Sequence, residues 1–336
     1  MKPEFLSSGR IQVSVDTSGY CQARCALCVW PELKSAKRIM SNDEFKVLLS
    51  RFEGYEIEEF AFNSINEPFV DKTVIEKIHL LIDSGLTVRS LFFSSNWLIP
   101  EEDAIEAFAD AMRRAAEAPS VRWLNLNATI SGIDDASYDE LQAGRFLEGV
   151  QMPYRPLNFA KARKNVSTVA KLLEAKLLAN AAARFHIKAY GNAFSAEAYH
   201  QYWTGVLQGA GVSERFIQRH IVIALNHGLT SFGRSAAPDA DSARACAGGW
   251  LDRLIVVGPD GHVGLCCNEG AHLVNLGNLV QADLETLVAG DAYQRELAIV
   301  TGASPAPEDH ACVRCEHFIP CTKAKQADQL TQAQHT

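Results

Sequence analysis

Three cysteines within eight residues, Cys21, Cys25 and Cys28 in the spacing C-x3-C-x2-C, constrain this chain more than any other stretch. They follow Ile11–Asp16 (IQVSVD), an alternation of apolar and polar residues that reads as a strand. Three thiolates on so tight a loop can hold three irons of a [4Fe–4S] cube and leave the fourth iron open. A zinc knuckle would want a fourth Cys or His at finger-like spacing. The nearest histidine downstream is His79.

With 336 residues the chain can form one large domain plus a small one, or a barrel with an appendage. Apolar content of 47% and charged content of 21% are ordinary for a globular protein. The net charge of −8 argues against nucleic-acid or anionic-membrane partners, which favour a basic footprint. Residues Met1–Ser7 lack the apolar core of a secretory signal, and no run approaches the roughly 18 apolar residues of a membrane span. These features predict a cytoplasmic protein, where clustered cysteines are metal ligands rather than disulfides. Nine cysteines in a few tight groups, an odd count, agree with that.

After a short polar lead over residues 1–10, the chain alternates strand and helix signals. Ser41 and Glu44 form a capping-box pattern ahead of an apolar face of Phe45, Leu48, Leu49 and Phe52. Strands are expected at Glu58–Asn63, Ser90–Ser94, Val121–Ile130, Phe185–Tyr190 and Ile221–Leu225. Helices are expected near Thr73–Ser84, Glu101–Ala118, Leu157–Ala182 and Ala196–Leu207. Such alternation argues for an α/β fold with a parallel sheet built of βα units, without deciding between an open sheet and a partial barrel. No internal repeat is found. Residues 1–228 read as the core domain, 229–245 as a linker without period, 246–321 as a small cysteine-bearing domain and 322–336 as a polar tail. Within the small domain, Leu254–Val257 and Val263–Cys266 flank Pro259-Asp260-Gly261 as a hairpin, and Leu284–Ala289 reads as a short helix.

The cysteine loop, with Leu27 before its third cysteine, resembles that of the radical SAM superfamily. The resemblance implies a partial (β/α)6 barrel with the cluster at its mouth. The open iron chelates the amino and carboxylate groups of S-adenosylmethionine (SAM), whose reductive cleavage gives a 5′-deoxyadenosyl radical. An external electron donor such as flavodoxin or ferredoxin is implied as well. Asn66-Glu67-Pro68 stands where relatives carry a Gly-Gly-Glu-like motif that backs the methionine ammonium, with Asn66 in place of the usual glycine. Glu67 would supply a charge-assisted hydrogen bond there. Without the cysteine loop it would read as a glutamate before a turn-forming proline. Ser94, Ser95 and Asn96 fall where relatives place hydroxyl and amide groups near the SAM ribose and carboxylate, and Thr129 where they place a Ser or Thr near the ribose.

The distal cysteines resemble the SPASM and twitch extensions of that superfamily. Cys246-x14-Gly261-x4-Cys266, then Gly277-Asn278-Leu279, then Cys312-x2-Cys315-x5-Cys321 follow the pattern, but Lys325 stands where a further cysteine would be. Six distal thiols fall short of two complete clusters, so one auxiliary [4Fe–4S] cluster is expected, on Cys246, Cys266, Cys312 and Cys315 with Cys321 as an alternative ligand. A zinc ribbon would use the same pairs. Cys267 points away from Cys266 in a regular strand. It is either a small buried hydrophobe or, as in some radical SAM epimerases, a hydrogen-atom donor. Tyr154, His186, Tyr190, His227 and Arg234 fall where a substrate cavity could lie, while Tyr20, Arg24 and Trp30 flank the loop as packing and surface residues.

An acceptor cluster near the substrate suits a net two-electron oxidation. The chain begins about ten residues before its first strand, which leaves no room for a leader-binding domain. The expectation is therefore dehydrogenation of a small sugar-, aminocyclitol- or nucleoside-like metabolite in natural-product biosynthesis. Maturation of a ribosomally made precursor peptide, redox-neutral epimerisation or decarboxylation, and a non-catalytic metal-binding module are the alternatives.

Overall fold

The computed structural model describes residues 1–23, 25, 28, 36–143, 158–177, 182–191, 193–226, 244–247, 250–266, 274–315 and 318–320. The core follows the chain as α1 (Glu4–Ser8), β1 (Arg10–Val15), α2 (Asn42–Ser50), β2 (Glu56–Ala61), α3 (Val74–Asp83), β3 (Thr87–Ser95) and α4 (Glu102–Glu117). It continues as β4 (Val121–Thr129), α5 (Asp135–Tyr138), α6 (Phe159–Leu177), β5 (Ala183–Tyr190), α7 (Ala196–Gly209), α8 (Glu214–His220) and β6 (Ile221–Asn226). Strands β1 to β6 lie side by side in sequence order, and every neighbouring pair is parallel. That is the sheet of repeated βα units the alternation predicts.

Strand periodicity sorts the side chains by face. On β5, Phe185, Ile187 and Ala189 are buried in the hydrophobic core, while Arg184, His186, Lys188 and Tyr190 alternate with them at intermediate exposure. The helices return the complementary stripe: on α4, Ile105, Phe108, Ala109, Met112 and Ala115 recur at helical spacing and are buried. Ser41 caps α2 as its sequence requires. Its hydroxyl accepts the Glu44 N–H at 3.2 Å and the Glu44 carboxylate accepts the Ser41 N–H at 2.8 Å, a device worth about 1 kcal/mol.

The distal region comprises β7 (Arg244–Cys246), β8 (Leu254–Val257), β9 (Val263–Gly264), α9 (Leu284–Ala289), α10 (Asp291–Val300) and β10 (Phe318–Pro320). The β8–β9 hairpin and α9 stand where expected. Strand β8 also pairs in parallel with the free edge of β1, from Gln12 against Leu254 to Val15 against Val257. Among the described residues the open sheet therefore has eight strands. All four β8 residues are buried, as a strand covered on both faces should be.

Two expectations are corrected. The first ten residues are not merely a polar lead: Glu4–Ser8 form α1, whose Phe5 is fully buried, and Asp252 accepts the Glu4 and Phe5 N–H groups at 2.7 and 3.2 Å. The expected linker ends early, because Arg244 and Ala245 belong to β7, which pairs antiparallel with β10. Most of that linker, together with the polar tail, lies outside the described residues. No helix among the described residues is long and apolar enough to cross a membrane.

Candidate active site

The strand ends converge on a cavity of about 460 Å³. Cys21, Cys25 and Cys28 line one side of it, and Asn66, Glu67, Ser94, Ser95, Asn96 and Thr129 line another. Residues drawn from four segments of the chain are thus brought to one place. The three thiols are half-buried. Desolvation raises Cys21 and Cys25 well above the ordinary thiol range; Glu67, Cys25 and Cys28 add to the rise at Cys21, and Cys28 to that at Cys25. Thiols held neutral chiefly by burial in this way would be stabilised as thiolates by a cationic iron core beside them. Among the described residues no three His, Cys, Asp or Glu side chains are grouped as ligands of one metal ion. In a cube each thiolate holds a different iron.

Glu67 is almost fully buried and already engaged. Its Oε1 accepts from Ser95 Oγ at 2.8 Å and from the Phe69 N–H at 3.2 Å, and its Oε2 accepts the Asn96 N–H at 2.8 Å. A carboxylate offers about four acceptor sites, so one remains, on Oε2. Burial pushes the Glu67 carboxyl up to about 7 in spite of these bonds. The residue therefore does two things: it welds the end of β2 to the end of β3, and it holds one acceptor toward the cavity. Ser95 is spent in this weld. Ser94 Oγ instead lies 3.3 Å from Thr129 Oγ1 across the strand pair.

The cysteine loop is tied to the same framework. Tyr20 O accepts the Glu67 N–H at 3.1 Å, Asn66 Nδ2 donates to Ser18 O, and Gln22 Nε2 donates to Asn96 Oδ1 at 2.7 Å. Beneath it Asp16, at the end of β1, accepts the Ser64 N–H at 2.6 Å and faces the amides of Ile65 and Asn66. Burial pushes the Asp16 carboxyl up to about 7 against those bonds. Asp16 and Gln22 escape a motif search because their partners lie 48 and 74 residues away. Three cavity-lining carbonyl oxygens, Asn63 Oδ1, Asn66 Oδ1 and Asn127 Oδ1, are buried without a donor among the described residues. Such orphans are costly, and they suit a ligand rich in N–H and O–H groups. SAM, with its ammonium, ribose and adenine, is one.

The inner wall adds Gln12, Glu59, Lys188 and Tyr190. Burial lowers the Lys188 ammonium below its ordinary range, opposed by the Glu59 carboxylate. Of these only Tyr190 is visible in the sequence as a candidate; Lys188 follows from the β5 alternation, which puts His186 on the same strand face but outside the cavity lining. Burial, with Lys188 and Arg184 nearby, holds His186 down to about 4. Tyr154, His227, Arg234, Arg24 and Trp30 lie outside the described residues.

In the distal region Cys246 ends β7, Cys266 follows β9, and Cys312 and Cys315 bracket a turn in which Cys312 O accepts the Cys315 N–H at 2.9 Å. His310 Nδ1 accepts the Cys312 N–H at 3.2 Å, leaving Nε2–H to face Glu296 Oε2 at 2.7 Å. Cys267 and Cys321 lie outside the described residues.

Residues 246–316 match SPASM, an iron–sulfur cluster-binding domain. No curated protein matches the chain. Among solved structures, anSMEcpe with bound AdoMet is similar at 11% identity and a TM-score of 0.55, over 95% of this chain and 95% of that one. Native anSMEcpe with bound AdoMet and the Kp18Cys peptide gives 11% and 0.51, over 97% and 98%. BtrN in complex with AdoMet and 2-DOIA gives 12% and 0.50, over 91% and 92%. At these identities the likeness is one of fold.

Proposed function

We propose, for a chain that has the radical SAM fold and carries a SPASM iron–sulfur domain, that it binds SAM in this cavity and dehydrogenates a small sugar-, aminocyclitol- or nucleoside-like metabolite. The observation that carries the reading is the meeting, in one cavity, of the three thiols, the remaining acceptor of Glu67 and a polar inner wall. Cys21, Cys25 and Cys28 would hold the SAM-binding cluster, and Cys246, Cys266, Cys312 and Cys315 an auxiliary one. When bound, cluster and SAM supply one-electron chemistry able to remove a hydrogen atom from an unactivated C–H bond, and the auxiliary cluster an electron acceptor.

The chain's own residues do the rest. Glu67 Oε2 and Asn66 Oδ1 would accept from the methionine ammonium, while Ser94, Thr129 and Asn127 would offer neutral partners to ribose hydroxyls. Gln12, Glu59 and Lys188 hold the substrate by hydrogen bonds that hydroxyl and amino groups can answer. Dehydrogenating a secondary alcohol removes a hydrogen atom, an electron and the hydroxyl proton. The proton is the share that falls to side chains, and Lys188, its basicity lowered by burial, can take it.

BtrN in complex with 2-DOIA supports a small substrate. The peptide carried by anSMEcpe favours a second reading, maturation of a precursor peptide. An external one-electron donor such as flavodoxin or ferredoxin and a cytoplasmic setting belong to either. The test is anaerobic turnover with a panel of carbinol-deuterated aminocyclitols and sugars. One SAM consumed per ketone formed, with deuterium in 5′-deoxyadenosine, is expected. Deuterium recovered in a product of inverted configuration would replace dehydrogenation by epimerisation, and stimulation of SAM cleavage by peptides alone would favour the second reading.

A further inference from the structure

Arg244 and Cys246 stand two residues apart on β7, so their side chains share one face while buried Ala245 takes the other. The ladder sets Cys246 opposite Phe318 and Arg244 opposite Pro320. Yet the Arg244 guanidinium carbon lies 5.8 Å from the centroid of the Phe318 ring. The head group therefore leans along the strand toward the level of Cys246. Its Nε and Nη1 atoms are buried and meet no acceptor among the described residues. A guanidinium stays charged in any protein interior, and burying two of its nitrogens without an acceptor, on a residue that is itself half-buried, is unfavourable. The Phe318 face offsets only part of that. A four-thiolate iron–sulfur cluster at Cys246 would supply the missing partner, being negative overall and having sulfurs that accept N–H hydrogen bonds.

We propose that Arg244 is the counter-cation of the auxiliary cluster, hydrogen-bonded to its sulfurs and raising its reduction potential. The proposal rests on the auxiliary-cluster reading given above. One electron entering the cluster adds one negative charge beside a fixed positive one, so the reduced form gains more from Arg244 than the oxidised form does. In turnover that electron would come from the substrate, and in a titration from the added reductant. A cluster tuned this way is an acceptor rather than a purely structural fixture.

The experiment is an EPR-monitored redox titration of the full chain reconstituted with iron and sulfide, in a Cys21/Cys25/Cys28→Ala background that leaves the distal cysteines as cluster ligands. Arg244→Gln and Arg244→Lys are compared with Arg244. A midpoint shifted to more negative potential in R244Q, with R244K between R244Q and the parent, is expected. Loss of distal iron in R244Q but not in R244K also supports the assignment, because it follows charge rather than shape. An unchanged midpoint in R244Q, or equal iron loss in both variants, overturns the role of Arg244 alone. Zinc or no iron in the parent with Arg244 intact overturns the auxiliary-cluster reading and the proposal together.

Discussion

The loop that follows Glu67 is anchored by a buried ion pair whose removal has a calculable cost. Lys77 Nζ lies 2.8 Å from Asp71 Oδ2, with the two side chains 0% and 1% exposed. Lys77 Nζ also donates to Thr73 Oγ1 at 2.6 Å, and Asp71 Oδ1 accepts the Thr73 N–H at 2.9 Å and its hydroxyl at 2.7 Å. Lys77→Met keeps the aliphatic volume and strands a buried carboxylate. Breaking such a pair from one side costs about 3–5 kcal/mol, and the two Thr73 donors left on Asp71 hold the outcome near 3 rather than 5. Asp71→Asn/Lys77→Met removes the charge while keeping an acceptor for Thr73, and is expected to recover about 1–3 kcal/mol of the loss. The assay is urea unfolding of the cluster-free chain, followed by circular dichroism at constant m-value. A K77M loss below about 1 kcal/mol, or a double variant no better than the single, would refute the reasoning.

Other consequences are direct. Glu67→Ala leaves Ser95 Oγ–H and the Phe69 and Asn96 N–H groups without their acceptor, so SAM affinity, measured by equilibrium dialysis on the reconstituted protein, should fall by tenfold or more for a lost charge-assisted bond of about 1.5–3 kcal/mol. A Kd equal to that of the parent would contradict this role. The folded Asp16 carboxyl is raised to about 7, so the folded chain keeps a proton that the unfolded chain releases. Stability should therefore fall in the parent relative to Asp16→Asn as the pH rises from about 4 to 7, by at most roughly 4 kcal/mol; urea midpoints converging in the opposite sense would contradict it. A Cβ at Gly19 would stand 1.8 Å from Ala36 O, a backbone atom with little room to yield. Gly19→Ala should therefore reduce iron bound per chain after reconstitution, and unchanged iron would count against the tight seating of the cysteine loop.

Local signals were readable where a few adjacent residues carry them. The capping box at Ser41 and Glu44, the six parallel strands and the turn between β8 and β9 are decided within four to nine residues, by capping, period and turn chemistry. Helix α1 carries no sequence signal because five residues with one buried side chain, Phe5, show no period. The pairing of β8 with β1 joins segments more than 230 residues apart, and no local pattern announces it. The same divide runs through the site. Cys21, Cys25, Cys28 and Glu67 stand in motifs, whereas Asp16, Gln22 and Lys188 matter only through partners that folding brings to them. The state of Glu67 was likewise illegible, since its donors belong to Phe69, Ser95 and Asn96.

The most direct test of the account is 5′-deoxyadenosine formation from SAM by the anaerobically reconstituted, dithionite-reduced chain, beside the Cys21/Cys25/Cys28→Ala variant. The account predicts product from the parent and none from the variant, although the variant keeps its distal iron. Equal product from both, or none from a parent loaded with iron and sulfide, would contradict it.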